Sequence, residues 1–127
     1  MLGRPTADTT TGSSVHGELC SLDVTVAEDD DTATLRLRGE LDLTTSALLD
    51  AVLDRLLHSR REPALRHLVV DMADVRFADA AGLSPVLHAR AVLGRRAGCV
   101  VVREPTRSVR LVLDVLSLQD LVEAATG

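Results

Sequence analysis

The chain has 127 residues, a length that suits one domain. All 14 basic residues are arginine, and 19 acids leave a net charge of −5. With no basic stripe, that balance argues against direct binding of nucleic acid. Hydrophobic residues make up 46% of the chain and Phe77 is its only aromatic, so the core has to be aliphatic, built from Leu, Val and Ala.

Residues Met1 to Gly17 are rich in Thr, Ser and Gly and poor in apolar side chains, and they read as a disordered tail ahead of a domain spanning residues 18–127. No apolar run approaches the roughly 20 residues that span a bilayer. The N-terminus has no signal-like apolar stretch, so a cytoplasmic protein without a membrane partner is expected. Cys20 and Cys99 fall in strand-like segments without a His or Cys neighbour at metal-ligand spacing, which predicts two buried, reduced thiols and no metal or cofactor.

Leu19 to Ala27 alternates apolar and polar residues and predicts a first strand. Glu28 to Asp31 reads as a charged, solvated turn. Ala33 to Arg38 alternates again, so the two segments form a hairpin, with Gly39 breaking the second strand. Leu48, Leu49, Val52, Leu53, Leu56 and Leu57 trace the stripe of a helix from about Thr45 to His58. Thr44 or Thr45 is its expected N-cap, His58, Arg60 and Arg61 suit its C-terminal dipole, and Pro63 follows the stop.

His67 to Met72 predicts a short buried strand, with Asp71 and Asp74 marking its end. The turn FADAAGLSP follows, and then a helix from about Ala81 to Arg96 with Gly98 as the residue after its C-cap. Pro85 admits two starts. If the helix begins after Asp79, the ring lies beyond the first turn at a cost of about 3 kcal/mol. If Ser84 is the N-cap, Pro85 occupies the favoured first helical position. The first alternative is preferred. Cys99 to Arg103 is a further strand. Thr106 is expected to cap a third helix carrying Val109, Val112, Leu113 and Leu116, and Leu118 to Ala125 is open between strand and helix. The order β-β-α-β-α-β-α predicts an α/β fold, a small mixed sheet of about four to five strands with helices packed against it.

Three segments in this order carry a family resemblance. LRLRGELDLTTS (Leu35 to Ser46), VVDMADVRFADAAGL (Val69 to Leu83) and PTRSVRLVLDVLSLQDLV (Pro105 to Val122) resemble signatures of the STAS domain, the fold of bacterial anti-sigma factor antagonists. The resemblance implies a non-enzymatic regulator of transcription that works by partner switching. Its partner would be an anti-sigma factor with an ATP-binding kinase fold, and a homodimer is left open. It implies a docking face made of Gly39, Glu40, Leu41 and Asp42 together with Asp79, Ala80, Ala81, Gly82, Leu83 and Ser84. In the family a serine or threonine just before the glycine is phosphorylated, and that position is Ala81 here. Ser84, one helical turn on, is the weak candidate for a displaced phosphosite. The alternative is a STAS-type module that binds a small ligand, nucleotide or lipid, or serves a transport system. Asp79 is expected to cap its helix as well as to dock, and His67 and His88 read as surface residues. No P-loop, H-E-x-x-H or G-x-S-x-G motif is present, so nothing supports catalysis.

Overall fold

The computed structural model describes residues 22–58 and 62–122. The expected tail at 1–17, together with Cys20, Arg60 and Arg61, lies outside them. Four strands, β1 (Leu22–Asp29), β2 (Thr32–Leu41), β3 (His67–Ala78) and β4 (Cys99–Arg103), form one sheet in chain order. β1 and β2 are antiparallel, while β2–β3 and β3–β4 are parallel. Three helices, α1 (Leu43–His58), α2 (Ala80–Gly94) and α3 (Arg107–Val115), complete the predicted order. The undecided last segment forms a 3₁₀ turn at Gln119–Leu121, and Val122 then makes one parallel bridge to Val102.

Strand alternation builds the core. Ala33, Leu35, Leu37 and Leu41 turn one face of β2 inward, while Arg36 and Arg38 turn the other way. α1 lays Leu49, Val52, Leu53, Leu56 and Leu57 on that inner face and packs along α2. Each fully buried leucine contributes roughly 2 kcal/mol of apolar burial. As composition requires, this core is aliphatic, and Phe77 stands 46% exposed outside it.

Several boundaries depart from expectation. β1 continues to Asp29, so the hairpin turns on Asp30 and Asp31 alone, with Asp30 in the left-handed region at φ 52°. Gly39 does not break β2. It stays in the strand at φ 121°, a conformation that favours glycine, next to shifts in the β2–β3 register. β3 runs six residues past Met72, so Asp71 and Asp74 lie inside it rather than at its end. Arg36 pairs with Asp71 but Arg38 pairs with Asp74, and Gly39 pairs with Val75 but Glu40 with Phe77. β3 therefore holds one extra residue at each of two bulges. The Asp71 carboxylate accepts from the Ala73 N–H at 3.0 Å and supports the first of them.

α2 begins at Ala80, so Ser84 is not its N-cap, and Pro85 is a buried residue inside the helix. Its C-terminus closes through Ala97, in the left-handed region at φ 59°, rather than through Gly98. Gly98 is needed for another reason: a Cβ there would lie 2.0 Å from the carbonyl oxygen of Arg66. The expected Thr106 side-chain cap of α3 does not form. Cys99 is exposed rather than buried, because Val100 and Val102 take the inward positions of β4. Its Sγ lies 3.6 Å from His67 Nδ1 across the β3–β4 pair. At the end of α1, Arg96 donates to the Leu57 carbonyl at 2.9 Å, a cationic partner from α2.

Candidate functional site

The end of β2 and the start of α1 form one hydrogen-bonded corner. Thr45 is 1% exposed, and its hydroxyl donates to the Glu40 carbonyl at 2.8 Å while accepting from the Asp42 N–H at 3.0 Å. Neither threonine is the N-cap. Asp42 is: its Oδ1 accepts from the Thr44 N–H at 3.0 Å, the Thr45 N–H at 3.1 Å and the Thr44 hydroxyl at 2.7 Å. Buried Thr45 instead ties the cap back to the strand.

The Thr44 hydroxyl holds the Asp42 carboxyl below the usual carboxylate range. Partial desolvation opposes it, and the N–H groups of Thr45 and Thr44 and the Thr45 hydroxyl reinforce it. A folded pKa below the unfolded one gives stability that is fully present above the ordinary carboxylate range. It is lost as pH falls through the lowered value. Asp42→Ala is expected to cost about 1 kcal/mol at neutral pH. Asp42→Asn should retain most of the cap and flatten the acid limb. Urea midpoints at neutral and acid pH check both, and an unchanged acid limb in the asparagine variant counts against the assignment.

The second half of the site is the β3–α2 junction. The Asp79 N–H donates to the Leu41 carbonyl at 3.0 Å, and Asp79 Oδ1 accepts from the Gly82 N–H at 2.8 Å, the expected cap. Gly82 sits directly on the end of β2. A Cβ at this position would lie 2.1 Å from the carbonyl carbon and oxygen of Leu41 and 2.5 Å from the Asp42 nitrogen. The fold therefore brings Gly39–Asp42 and Asp79–Ser84 together in space.

Within this region Gly39, Leu41, Gly82 and Leu83 are buried and form the floor. Glu40, Asp42, Asp79 and Ala81 are half-buried, and Ala80 and Ser84 are exposed. Sequence reasoning passed over two neighbours. Leu43, the first residue of α1, is 73% exposed, and Phe77, paired with Glu40 near the end of β3, is 46% exposed. A leucine outside the α1 stripe and a lone aromatic in an aliphatic chain were the available signals. Glu40 also pairs with Arg76 at 3.7 Å on the surface, a contact of little energetic weight.

Ala80 and Ala81 supply no nucleophile or proton carrier. Among the described residues no three His, Cys, Asp or Glu side chains converge to hold a metal. None of the described helices is long and apolar enough to cross a membrane. The region is a small surface of short side chains, rimmed by Glu40, Asp42 and Asp79, over a hydrogen-bonded floor at one end of the mixed sheet.

This is the architecture of a mixed sheet-and-helix domain. The chain belongs to the STAS domain family, matching the family model described as Mlab, STAS domain over residues 24–123. No curated protein matches it in sequence. In structure it resembles the anti-sigma factor antagonist SpoIIAA of Bacillus in its unphosphorylated form, at 23% identity and a TM-score of 0.69, covering 81% of this chain and 88% of that one. It also resembles an anti-sigma factor antagonist from Mycobacterium paratuberculosis, at 21% identity and a TM-score of 0.68, covering 84% and 88%. A third likeness, at 20% identity, TM-score 0.67 and coverage of 77% and 81%, is to a Thermotoga maritima protein described as an anti-sigma factor antagonist. At these identities the likeness shows the fold.

Proposed function

We propose that the protein is an anti-sigma factor antagonist that docks an anti-sigma factor of ATP-binding kinase fold, acts in the cytoplasm and is not an enzyme. The observation that carries this reading is the junction at Gly82. Close backbone contact there sets the small residues Ala80 and Ala81 of the α2 first turn against the end of β2, on a domain of the STAS family. Docking uses Glu40, Asp42 and Asp79 at the rim and the small residues of the α2 first turn, over the floor made by Gly39, Leu41, Gly82 and Leu83.

Ala81 gives this antagonist no hydroxyl at the position its relatives use as a switch, so binding is set by abundance. Ser84 is exposed but lies a full turn further into α2. A phosphate there would be past the first-turn N–H groups that stabilise such a charge.

Affinity capture of the tagged protein from its native cells, followed by mass spectrometry, tests the reading. An ATP-binding anti-sigma factor recovered with unmodified bait is expected. Recovery of transport components instead would favour a transport-associated module. With the captured kinase and labelled ATP, Ala81→Ser is expected to gain label while the natural chain gains none. Label on Ser84 of the natural chain would show a switch that has moved, and an unlabelled Ala81→Ser variant that still binds would count against a lost switch.

A further inference from the structure

The end of the sheet away from this junction carries a nucleophile and a base side by side. His67 opens β3 and Cys99 opens β4, and the two occupy paired positions of that parallel ladder. Both are exposed, and Cys99 Sγ lies 3.6 Å from His67 Nδ1, which for the large sulfur atom is hydrogen-bond contact.

Backbone bonds hold both residues in place. The N–H groups of Arg66 and His67 donate to the Asp31 carbonyl at 2.8 and 3.0 Å, and the Cys99 N–H donates to the Arg66 carbonyl at 2.9 Å. Gly98 seats against that same carbonyl, where a Cβ would lie 2.0 Å from the oxygen, and this fixes the approach of β4. Only short side chains then separate the thiol from the imidazole. The pair does not serve the core, because the chain neighbours Leu68 and Val100 take the inward positions. His67 Nε2 makes no hydrogen bond or ion pair among the described residues, so it is left to exchange its proton with water.

We infer that Cys99 is a modification site, a thiol that exchanges with low-molecular-weight disulfides with His67 as its proton acceptor. The tautomer required carries its proton on Nε2 and leaves Nδ1 free to accept. The Sγ–H proton moves to Nδ1 as Sγ attacks one sulfur of the disulfide. A new Sγ–S bond forms and the old S–S bond breaks. The departing thiolate takes the proton from the imidazolium and leaves as a thiol. The chain gains one small thiol through a mixed disulfide, and no other oxidant is consumed. The 12 residues of β3, at about 3.3 Å each, separate this pair from Gly39–Asp42 and Asp79–Ser84, so the inference does not rest on the docking reading.

The full chain carrying Cys20→Ser, which leaves Cys99 as its one thiol, tests the site with bis(2-hydroxyethyl) disulfide, an uncharged probe. Mass spectrometry at neutral pH follows the adduct and places it. One mercaptoethanol adduct on Cys99 is expected. His67→Ala in that background should slow its formation by about tenfold. His67→Asn should slow it as much, since its amide can occupy the Nδ1 position but cannot carry the proton. Imidazole added to the buffer should restore part of the rate in His67→Ala. The core is untouched, so melting temperatures should be unchanged. Equal rates with and without His67, or a failure of Cys99 to take the adduct, would overturn the site. An asparagine variant as fast as the natural pair would overturn the proton-acceptor role, and a covalent dimer in place of the small adduct would overturn the assignment to small disulfides.

Discussion

Gly82→Ala is expected to lower folding stability by about 3 kcal/mol, a large share of the 5–15 kcal/mol typical of a domain. The added methyl would meet Leu41 carbonyl atoms at 2.1 Å and the Asp42 nitrogen at 2.5 Å. These are backbone atoms of a paired strand and cannot rotate aside as a side chain can. Relief requires α2 to withdraw from β2. That strains the Asp79 N–H bond to Leu41, now 3.0 Å, and the Gly82 N–H bond to Asp79, now 2.8 Å. Each is worth about 1 kcal/mol. The helix-propensity gain of alanine over glycine, also about 1 kcal/mol, offsets only part of the loss. Gly94→Ala is the control, because a Cβ at that position meets nothing within 4 Å. Its urea midpoint should stay or rise. If the two variants unfold alike, the close approach at Gly82 is not a feature of the folded protein.

The same junction separates what local sequence specifies from what it does not. The helices were legible because their apolar stripes hold a fixed period: Leu49, Val52, Leu53, Leu56 and Leu57 of α1 are buried as spaced. The paired runs of β1 and β2 were legible through strict alternation. β3 was only half legible. Its buried residues Leu68, Val70 and Met72 follow period two, but Val75 and Ala78 come three residues apart, one step longer for each bulge. A reader of periodicity stops at Met72, where the pattern slips but the strand does not. Asp42 was missed as a cap because Thr44 and Thr45 offer the same chemistry nearby. What decides between them is that Thr45 is buried and bonded back to Glu40, a contact five residues apart that spacing alone does not reveal. Asp79 was legible because only a carboxylate precedes the two alanines, and its cap bond reaches the expected glycine.

Leu43→Asp and Phe77→Asp should each weaken binding to the captured anti-sigma factor by about a hundredfold, near 2.7 kcal/mol. Both side chains are large, apolar and exposed, at 73% and 46%, and both belong to the segments that meet at the junction, Leu43 directly after Asp42 and Phe77 two residues before Asp79. Covering them removes apolar area from water at about 25 cal/mol per Å², whereas a carboxylate in the same place must be desolvated without a partner. Neither residue belongs to the core, so melting temperatures should move little. The control lies on α3, where Leu111 and Val115 are 55% and 81% exposed. Leu111→Asp and Val115→Asp carry the same chemical change on another surface and should leave affinity unchanged. Titration calorimetry of all four variants against one partner separates the possibilities. Losses confined to Leu43 and Phe77 place docking at the α2 junction, losses confined to Leu111 and Val115 move it to α3, and equal losses would mean that charge alone, rather than either face, governs the encounter.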